Sequence, residues 1–220
     1  MSVLPVTLLV VAKAPEPGRA KTRLAATVGD RVAAEIAAAA LLDTLDAVAA
    51  APVAARVVAL TGDLDGAANA DEIRQRLTSF TVIAQRGDDF AARLANAHAD
   101  ADGGLPVLQI GMDTPQVSAD LLTGCARRLL DAPAVLGFAR DGGWWVLGVG
   151  EAAMAQCLRT VPMSVPDTGE LTLKALRDKG IDVSTVQGLA DVDVVDDVAV
   201  VRDACAPASR FARVTRAAGL

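Results

Sequence analysis

Seven short apolar runs, separated by longer Ala-rich stretches, constrain this chain more than any other feature. Thr7–Ala12, Arg56–Leu60, Phe80–Ala84, Val107–Gly111, Ala134–Phe138, Trp144–Val149 and Val183–Val186 read as strands. Several are apolar throughout instead of alternating, the pattern of strands covered on both faces. The stretches between them have helical length. Asp30 is expected to cap a helix running to about Ala50, which Pro52 prevents from continuing. Asp71–Leu77, Asp89–Asp100, Ser118–Leu130 and Glu151–Leu158 are further helices. Asp167 and Glu170 have capping-box spacing ahead of a helix that Gly180 ends. Strands alternating with helices imply a three-layer α/β/α arrangement around a mostly parallel sheet of about seven strands. No internal repeat or composition break divides the chain, so residues 1–220 read as one domain. Residues 202–220 form a short terminal helix or a tail. Arg202, Arg210, Arg213 and Arg216 also leave open an anion-binding role for this end.

Composition narrows the function. With 220 residues and 52% hydrophobic content the chain can bury a sizeable core. Aromatics are 3% and Tyr is absent, so Ala, Val and Leu must fill that core. A net charge of −6 argues against a nucleic-acid partner. Cys125, Cys157 and Cys205 are odd in number and far apart, which disfavours a disulfide framework or a structural zinc site and fits a reducing cytoplasm. His98 is the sole histidine, which excludes His-rich metal sites; a structural or exposed position on its Ala-rich helix is expected. Cys125 has no histidine near it in sequence, so a nucleophilic role is not expected. Residues 3–12 lack the flanks of a signal peptide and are too short to span a bilayer. A cytoplasmic location with no membrane span is the expectation. A homo-oligomer is neither required nor excluded.

In open parallel sheets ligands bind beyond the carboxyl ends of the strands, and four strand-end loops carry chemistry. The first, Lys13 to Arg23, holds Lys13, Arg19, Lys21 and Arg23 against one acid, Glu16, in a turn shaped by Pro15, Pro17 and Gly18. Such a loop suits phosphate oxygens, although neither a Walker A loop nor a Rossmann fingerprint is present. The second, Gly111-Met-Asp-Thr-Pro115, offers Asp113 as a ligand for Mg2+ or Mn2+ in front of those phosphates. The third, Arg140-Asp-Gly-Gly-Trp-Trp145, has Gly142 and Gly143 to admit a close backbone approach. One of its tryptophans is expected in the core and the other over a pocket. In the fourth, Ala190-Asp-Val-Asp-Val-Val-Asp-Asp197, Asp191 and Asp193 share a side of an extended chain, and Asp193 is a candidate second metal ligand. Asp196 and Asp197 suit the first turn of a final helix. Arg93 either reaches the pocket or bridges surface acids.

Together VVAKAPEPGRAKTRLA, GDDFAARLANA, LQIGMDTPQV, VLGFARDGGWWVLGV and LADVDVVDDV resemble, in order and spacing, the DUF2064 family of the nucleotide-diphospho-sugar transferase superfamily, over about residues 7–200. The resemblance implies a GT-A-like fold with one antiparallel strand, a nucleotide under the first loop and a divalent metal near Asp113. The first loop is also similar to that of the guanylyltransferases that activate phospholactate or phosphoenolpyruvate, which implies Lys13, Lys21 and Arg23 as phosphate ligands. Asp193 matches a second metal-binding aspartate of this fold. Met163-Ser-Val stands where many members have Trp-Ser-Thr, and GMDT lacks the second acid of a DxD motif. The first reading is a nucleotide-sugar-dependent glycosyltransferase acting on a small-molecule acceptor, with Lys21, Arg23, Asp113 and Asp141 catalytic. Arg19, Gly142 and Gly143 complete its binding set. The alternative is a nucleotidyltransferase that moves NMP from an NTP to a small phosphorylated substrate and releases pyrophosphate. A non-catalytic nucleotide- or sugar-binding protein is the third reading.

Overall fold

The computed structural model describes residues 2–220. All seven apolar runs are strands: β1 (Leu4–Lys13), β2 (Val53–Thr61), β3 (Thr81–Ala84), β4 (Val107–Ile110), β5 (Ala134–Ala139), β6 (Trp144–Val149) and β7 (Val183–Leu189). They form one sheet in the order β3-β2-β1-β4-β6-β5-β7. β1 pairs in parallel with β2 and β4, β2 with β3, and β5 with β7. β6 alone runs antiparallel, to both β4 and β5. The helices are α1 (Thr22–Val28), α2 (Asp30–Ala50), α3 (Ala70–Leu77), α4 (Phe90–Asp100), α5 (Ala119–Leu130), α6 (Thr168–Asp178), α7 (Val195–Ala204) and α8 (Arg210–Ala217), with a 3-10 helix at Ala152–Thr160.

The unbroken apolar runs follow from burial on two sides. In β1, Leu8, Val10 and Ala12 meet Leu41, Leu42 and Leu45 of α2 and Leu122 and Leu129 of α5. Leu9 and Val11 point the other way, into a core with Leu94 of α4, Leu158 of the 3-10 helix and Leu176 of α6. The sheet is thus the middle of three layers. α2 is buried on a second side too, as expected of a helix apolar nearly all round. There Ala33, Ile36 and Ala40 pack on Leu24 of α1, Val198 and Val201 of α7, and Phe211 of α8.

The chain end is therefore a docked helix, not a frayed tail. Ser209 caps α8 through Ala212 N–H, and the backbone N–H groups of Arg210 and Phe211 donate to the Asp43 carboxylate. The Arg210 guanidinium pairs with Asp46 and Glu72. That engagement uses Arg210 inside the fold. Phe211 is fully buried, so Phe211→Ala is expected to cost about 3–5 kcal/mol, or roughly 10 °C in Tm. A loss within a degree or two in thermal unfolding would show that α8 is dispensable.

Three local expectations are corrected. Asp30 does not cap α2; Gly29 holds that position at φ 83°, and Asp30 is the first helical residue. Its charge still complements the helix dipole. Asp167 precedes α6 without a side-chain cap. Instead the Thr168 hydroxyl donates towards the Pro162 and Val165 carbonyls and accepts from Val165 N–H, which ties residues 162–168 into a compact turn. Residues 152–160 wind as a 3-10 helix. Helix α1, inside the stretch read as loop, was not foreseen.

Candidate functional site

The order β3-β2-β1-β4 reverses direction at β1, so β1 and β4 diverge into their following loops and leave a crevice between them. A cleft of about 800 Å³ opens there. Lys13, Arg19, Lys21, Arg23, Asp113, Asp141, Gly143, Asp191 and Asp193 all line it. The four loops singled out in the sequence thus converge, although up to 171 residues separate their contacting members.

Lys21 is the hinge of the site. It sits in the left-handed region, φ 48° and ψ 48°, immediately before α1. A non-glycine residue in this region carries backbone strain, which collects at functional sites. Its Nζ donates to Asp113 Oδ2 at 2.8 Å and to the Val192 carbonyl. The peptide N–H of Val192 in turn donates to the Asp113 carbonyl at 3.1 Å. The first, second and fourth loops are therefore locked through one ammonium group. Burial works against that charge, yet Asp113, Asp193 and Asp191 outweigh it and raise the Lys21 pKa. Lys21 stays cationic.

The other cations divide by role. Arg23 pairs with Asp193 at 2.5 Å, with its side chain mostly in solvent. Lys13 folds its Nζ onto the Arg19 carbonyl at 2.7 Å. Arg19 projects into water and meets Glu16 only at 3.6 Å. Glu16 is otherwise spent on the backbone, accepting from Asp63 N–H.

Among the carboxylates, Asp113 folds back over Gly111, where a Cβ would stand 2.8 Å from Oδ1. Asp141 accepts from Gly143 N–H at 2.7 Å. Gly142 does not line the cleft. It lies at φ 91°, and a Cβ there would meet the Pro166 carbonyl oxygen at 1.6 Å. The close approach this glycine permits is that of the 162–168 turn. Trp145 is buried and donates from Nε1 to the Gln187 carbonyl, while Trp144 is half-buried; both border the cleft, so the expected division between core and pocket holds for their burial alone.

Sequence reasoning passed over Asp191 in favour of Asp193. Burial pushes the Asp191 carboxyl up to about 6, and the charges of Asp141 and Asp113 add to the effect. Its signal was the two-residue spacing to Asp193. Native Asp191 keeps its proton up to about pH 6, whereas an unfolded aspartate releases it near 4. Between those values the native state binds more protons, so this group lowers stability as pH rises through the window, and the penalty stands above it. Without divalent cations, Asp191→Asn is expected to be the more stable protein at about pH 7.5, with the gap closing near pH 4. Thermal unfolding in chelator reads this. His98 is fully buried beside Gln109 without a hydrogen bond to either ring nitrogen, and burial lowers it to about 4. It takes stability away as pH falls from 6.5 towards 4, but equally in both proteins, so it cancels in the difference.

The donor set also bears on a cation. Among the described residues no three His, Cys, Asp or Glu side chains form a ready cation cage. The available donors are hard carboxylate oxygens, and a divalent ion would relieve the repulsion from Asp141 and Asp113 that adds to burial in lifting Asp191. Mg2+ ordinarily takes one or two carboxylates and fills its other positions with phosphate and water. The residues thus fit an ion that arrives with a phosphate ligand.

Sheet order and crevice together define a GT-A-like transferase fold. A crystal structure from Desulfovibrio desulfuricans G20, provisionally named a nucleotide-diphospho-sugar transferase, superposes with a TM-score of 0.86 at 26% identity, over 99% of this chain and 95% of that one. A family model described as "Uncharacterized protein conserved in bacteria (DUF2064)" matches residues 44–165, and the chain belongs to that family. More distant matches share the fold. A CMP:2-keto-3-deoxy-manno-octonic acid synthetase complexed with CTP has a TM-score of 0.56 at 14% identity, over 90% of this chain and 97% of that one. Rv0371C from Mycobacterium tuberculosis H37Rv, complexed with manganese, has a TM-score of 0.54 at 20% identity, over 90% and 97%. A search of the curated proteins returned no match. Among the described residues no helix is long and apolar enough to cross a membrane.

Proposed function

We propose that this protein is a nucleotidyltransferase, which transfers a nucleoside monophosphate from a nucleoside triphosphate to a small acceptor. The observation that carries this reading is the Lys21 clamp, a buried ammonium group fixed at the switch point beside a loop with three further cations. In the reaction, an acceptor oxygen forms a bond to the α-phosphorus. The bond from that phosphorus to the α,β-bridging oxygen breaks, and pyrophosphate leaves with the electron pair. A phosphate or carboxylate oxygen attacks without prior deprotonation, so the protein's task is to position the reactants and stabilise charge. Lys21 and Arg23 face the charge that develops on the phosphates, while Lys13 and Arg19 orient the outer ones. Asp113, with Asp191 or Asp193, would hold Mg2+ or Mn2+, which supplies charge neutralisation on the phosphate oxygens when bound. The manganese complex of Rv0371C supports that choice of ion, and the CTP complex of the synthetase supports a nucleoside triphosphate as donor.

Glycosyl transfer from a nucleotide sugar is the second reading, favoured by the name given to the Desulfovibrio protein. It asks for a base at the acceptor hydroxyl. Asp141, the carboxylate of the β5–β6 turn, has one oxygen occupied by Gly143 N–H. The test incubates each of the four nucleoside triphosphates, and separately a panel of nucleotide sugars, with the protein and Mg2+. Thermal stability and release of pyrophosphate or nucleoside diphosphate are followed in the presence of small phosphorylated and carboxylate acceptors. A rise in Tm with one triphosphate, and pyrophosphate as product, is expected. Stabilisation by a nucleotide sugar alone, with nucleoside diphosphate as product, would overturn the reading in favour of glycosyl transfer.

A further inference from the structure

The wall of the cleft opposite the phosphate loop has no part in the chemistry above. It is built by α4 and the turn before α6, on the face of the sheet away from α2. Phe90, Arg93 and Leu94 of α4 line it with Met163, Ser164 and Trp144. Phe90 is half exposed, although it is one of only four phenylalanines in the chain. Ser164 is held at φ 60°, a strained non-glycine position in the cleft wall. A second cavity of about 440 Å³ adjoins across Phe90, Met163 and Ser164, so this apolar wall is open on both sides.

Arg93 is the one charged group among those six. Its Nε donates to the Gly87 carbonyl at 3.1 Å. That anchor is close-fitting, since a Cβ on Gly87 would stand 2.9 Å from the Arg93 backbone nitrogen. The neighbouring carboxylate, Asp89, is spent capping α4 through Ala92 N–H. Among the described residues no carboxylate pairs with Arg93, in a chain where acids outnumber bases 27 to 21. Arg93 thus lines the cleft with its Nε anchored and its two terminal NH2 groups unpaired among the described residues, and a guanidinium fork can grip a carboxylate or phosphate through two hydrogen bonds.

We infer that the acceptor is a small anionic molecule with an apolar body, its carboxylate or phosphate group held by Arg93 and its body lying against Phe90, Met163 and Trp144. This rests on the transferase reading, because it takes the phosphate loop to be reserved for the donor. It narrows the acceptor from any small anion to one with an apolar body. It also gives α4, on the face of the sheet away from α2, the task of selecting it.

The two tryptophans provide a local readout, since Trp144 is half-buried at this wall while Trp145 is buried with its Nε1 bonded to the Gln187 carbonyl. The probes are phenyl phosphate, phenylacetate and neutral benzyl alcohol, titrated into the full-length protein without nucleotide. Binding is followed by the indole N–H resonances, assigned with Trp144→Phe. At least one anionic probe is expected to move the Trp144 signal saturably and to bind about tenfold more tightly than benzyl alcohol. Whichever of phosphate and carboxylate binds better names the acceptor's group. Arg93→Gln should reduce the anions to the level of the alcohol, and Phe90→Ala should weaken all three. Lys21→Ala should leave probe binding intact, so failure of donor binding does not mask the result. Anion binding that survives Arg93→Gln but vanishes with Lys21→Ala would put the probes on the phosphate loop and overturn the inference. Equal binding of all three probes, or no perturbation of Trp144 by any of them, would overturn it too.

Discussion

Lys21→Ala is expected to lower kcat by about 10²–10³, the usual cost of removing one preorganised charge aimed at a developing anion. Two consequences of the substitution must be separated. The first is chemical: the ammonium group between Asp113 and the Val192 carbonyl disappears, and with it the positive charge at the diverging ends of β1 and β4. The second is structural: Asp113 loses its partner and three loops lose their common tie. The Asp113 side chain is 36% exposed, so water takes up much of its lost interaction. The cost should then be well below the roughly 3–5 kcal/mol of breaking a fully buried pair. Removing Lys21 also frees a left-handed residue, though alanine tolerates that conformation no better. A modest fall in Tm with a large fall in turnover is the expected pair of results. Lys13→Ala supplies the contrast. Its Nζ rests on the Arg19 carbonyl at the cleft rim, and a loss of tenfold or less is expected. Steady-state product release and thermal unfolding on the same preparations decide the matter. Unchanged kcat in the Lys21 variant would remove Lys21 from the chemistry.

The sheet was legible because its signal is local. A strand covered on both faces must be apolar at every position, and Thr7–Ala12 or Trp144–Val149 can be little else in a folded chain. The strand order was not legible, and neither was the antiparallel course of β6, which entered only through the family resemblance. Pairing β6 between β4 and β5 depends on side-chain fit across the sheet, not on any residue in the strand. Helix α1 escaped notice for a different reason. It is seven residues long, begins at a left-handed lysine with no capping side chain and is separated from α2 by Gly29 alone.

At the site, residue types were readable and partnerships were not. Four cations in eleven residues announced an anion-binding loop. That Lys21, not its neighbours, turns inward to Asp113 depends on a backbone conformation and a carbonyl at Val192, neither of which leaves a trace in composition. Asp191 and Asp193 were indistinguishable by spacing. Structure separates them, since Asp193 meets a solvent-exposed arginine while Asp191 is half-buried near the acids Asp113 and Asp141.

Gly142→Ala is the substitution expected to be most damaging to the fold of the site, while Gly143→Ala beside it should be mild. The two glycines look equivalent in sequence. At Gly142 an added Cβ would lie 1.6 Å from the Pro166 carbonyl oxygen and 2.5 Å from its carbon. Both are backbone atoms, so relief requires the β5–β6 turn and the 162–168 turn to separate. That movement would break the bond from Gly169 N–H to the Gly142 carbonyl, 2.8 Å long. It would also unseat α6, where Gly169 packs so closely that a Cβ of its own would stand 2.5 Å from the Gly143 carbonyl. The positive φ of Gly142 adds about 1–2 kcal/mol for any side chain, on top of about 1–3 kcal/mol or more for the overlap. A total of about 2–5 kcal/mol corresponds to roughly 10 °C in Tm for a chain of this size. At Gly143 φ is ordinary, and the first atom met is Asp141 Oδ1 at 3.0 Å, the end of a side chain that can swing away. Alanine there should cost less than about 1 kcal/mol. It should instead disturb the position of Asp141, which bonds to Gly143 N–H. Thermal unfolding of both variants, beside donor and phenyl phosphate titrations, separates the effects. The Gly142 variant is expected to lose stability together with the wall that includes Met163 and Ser164, whereas the Gly143 variant keeps both. Equal tolerance of the two substitutions would mean that the contact between the β5–β6 turn and Pro166 does not hold the cleft in shape.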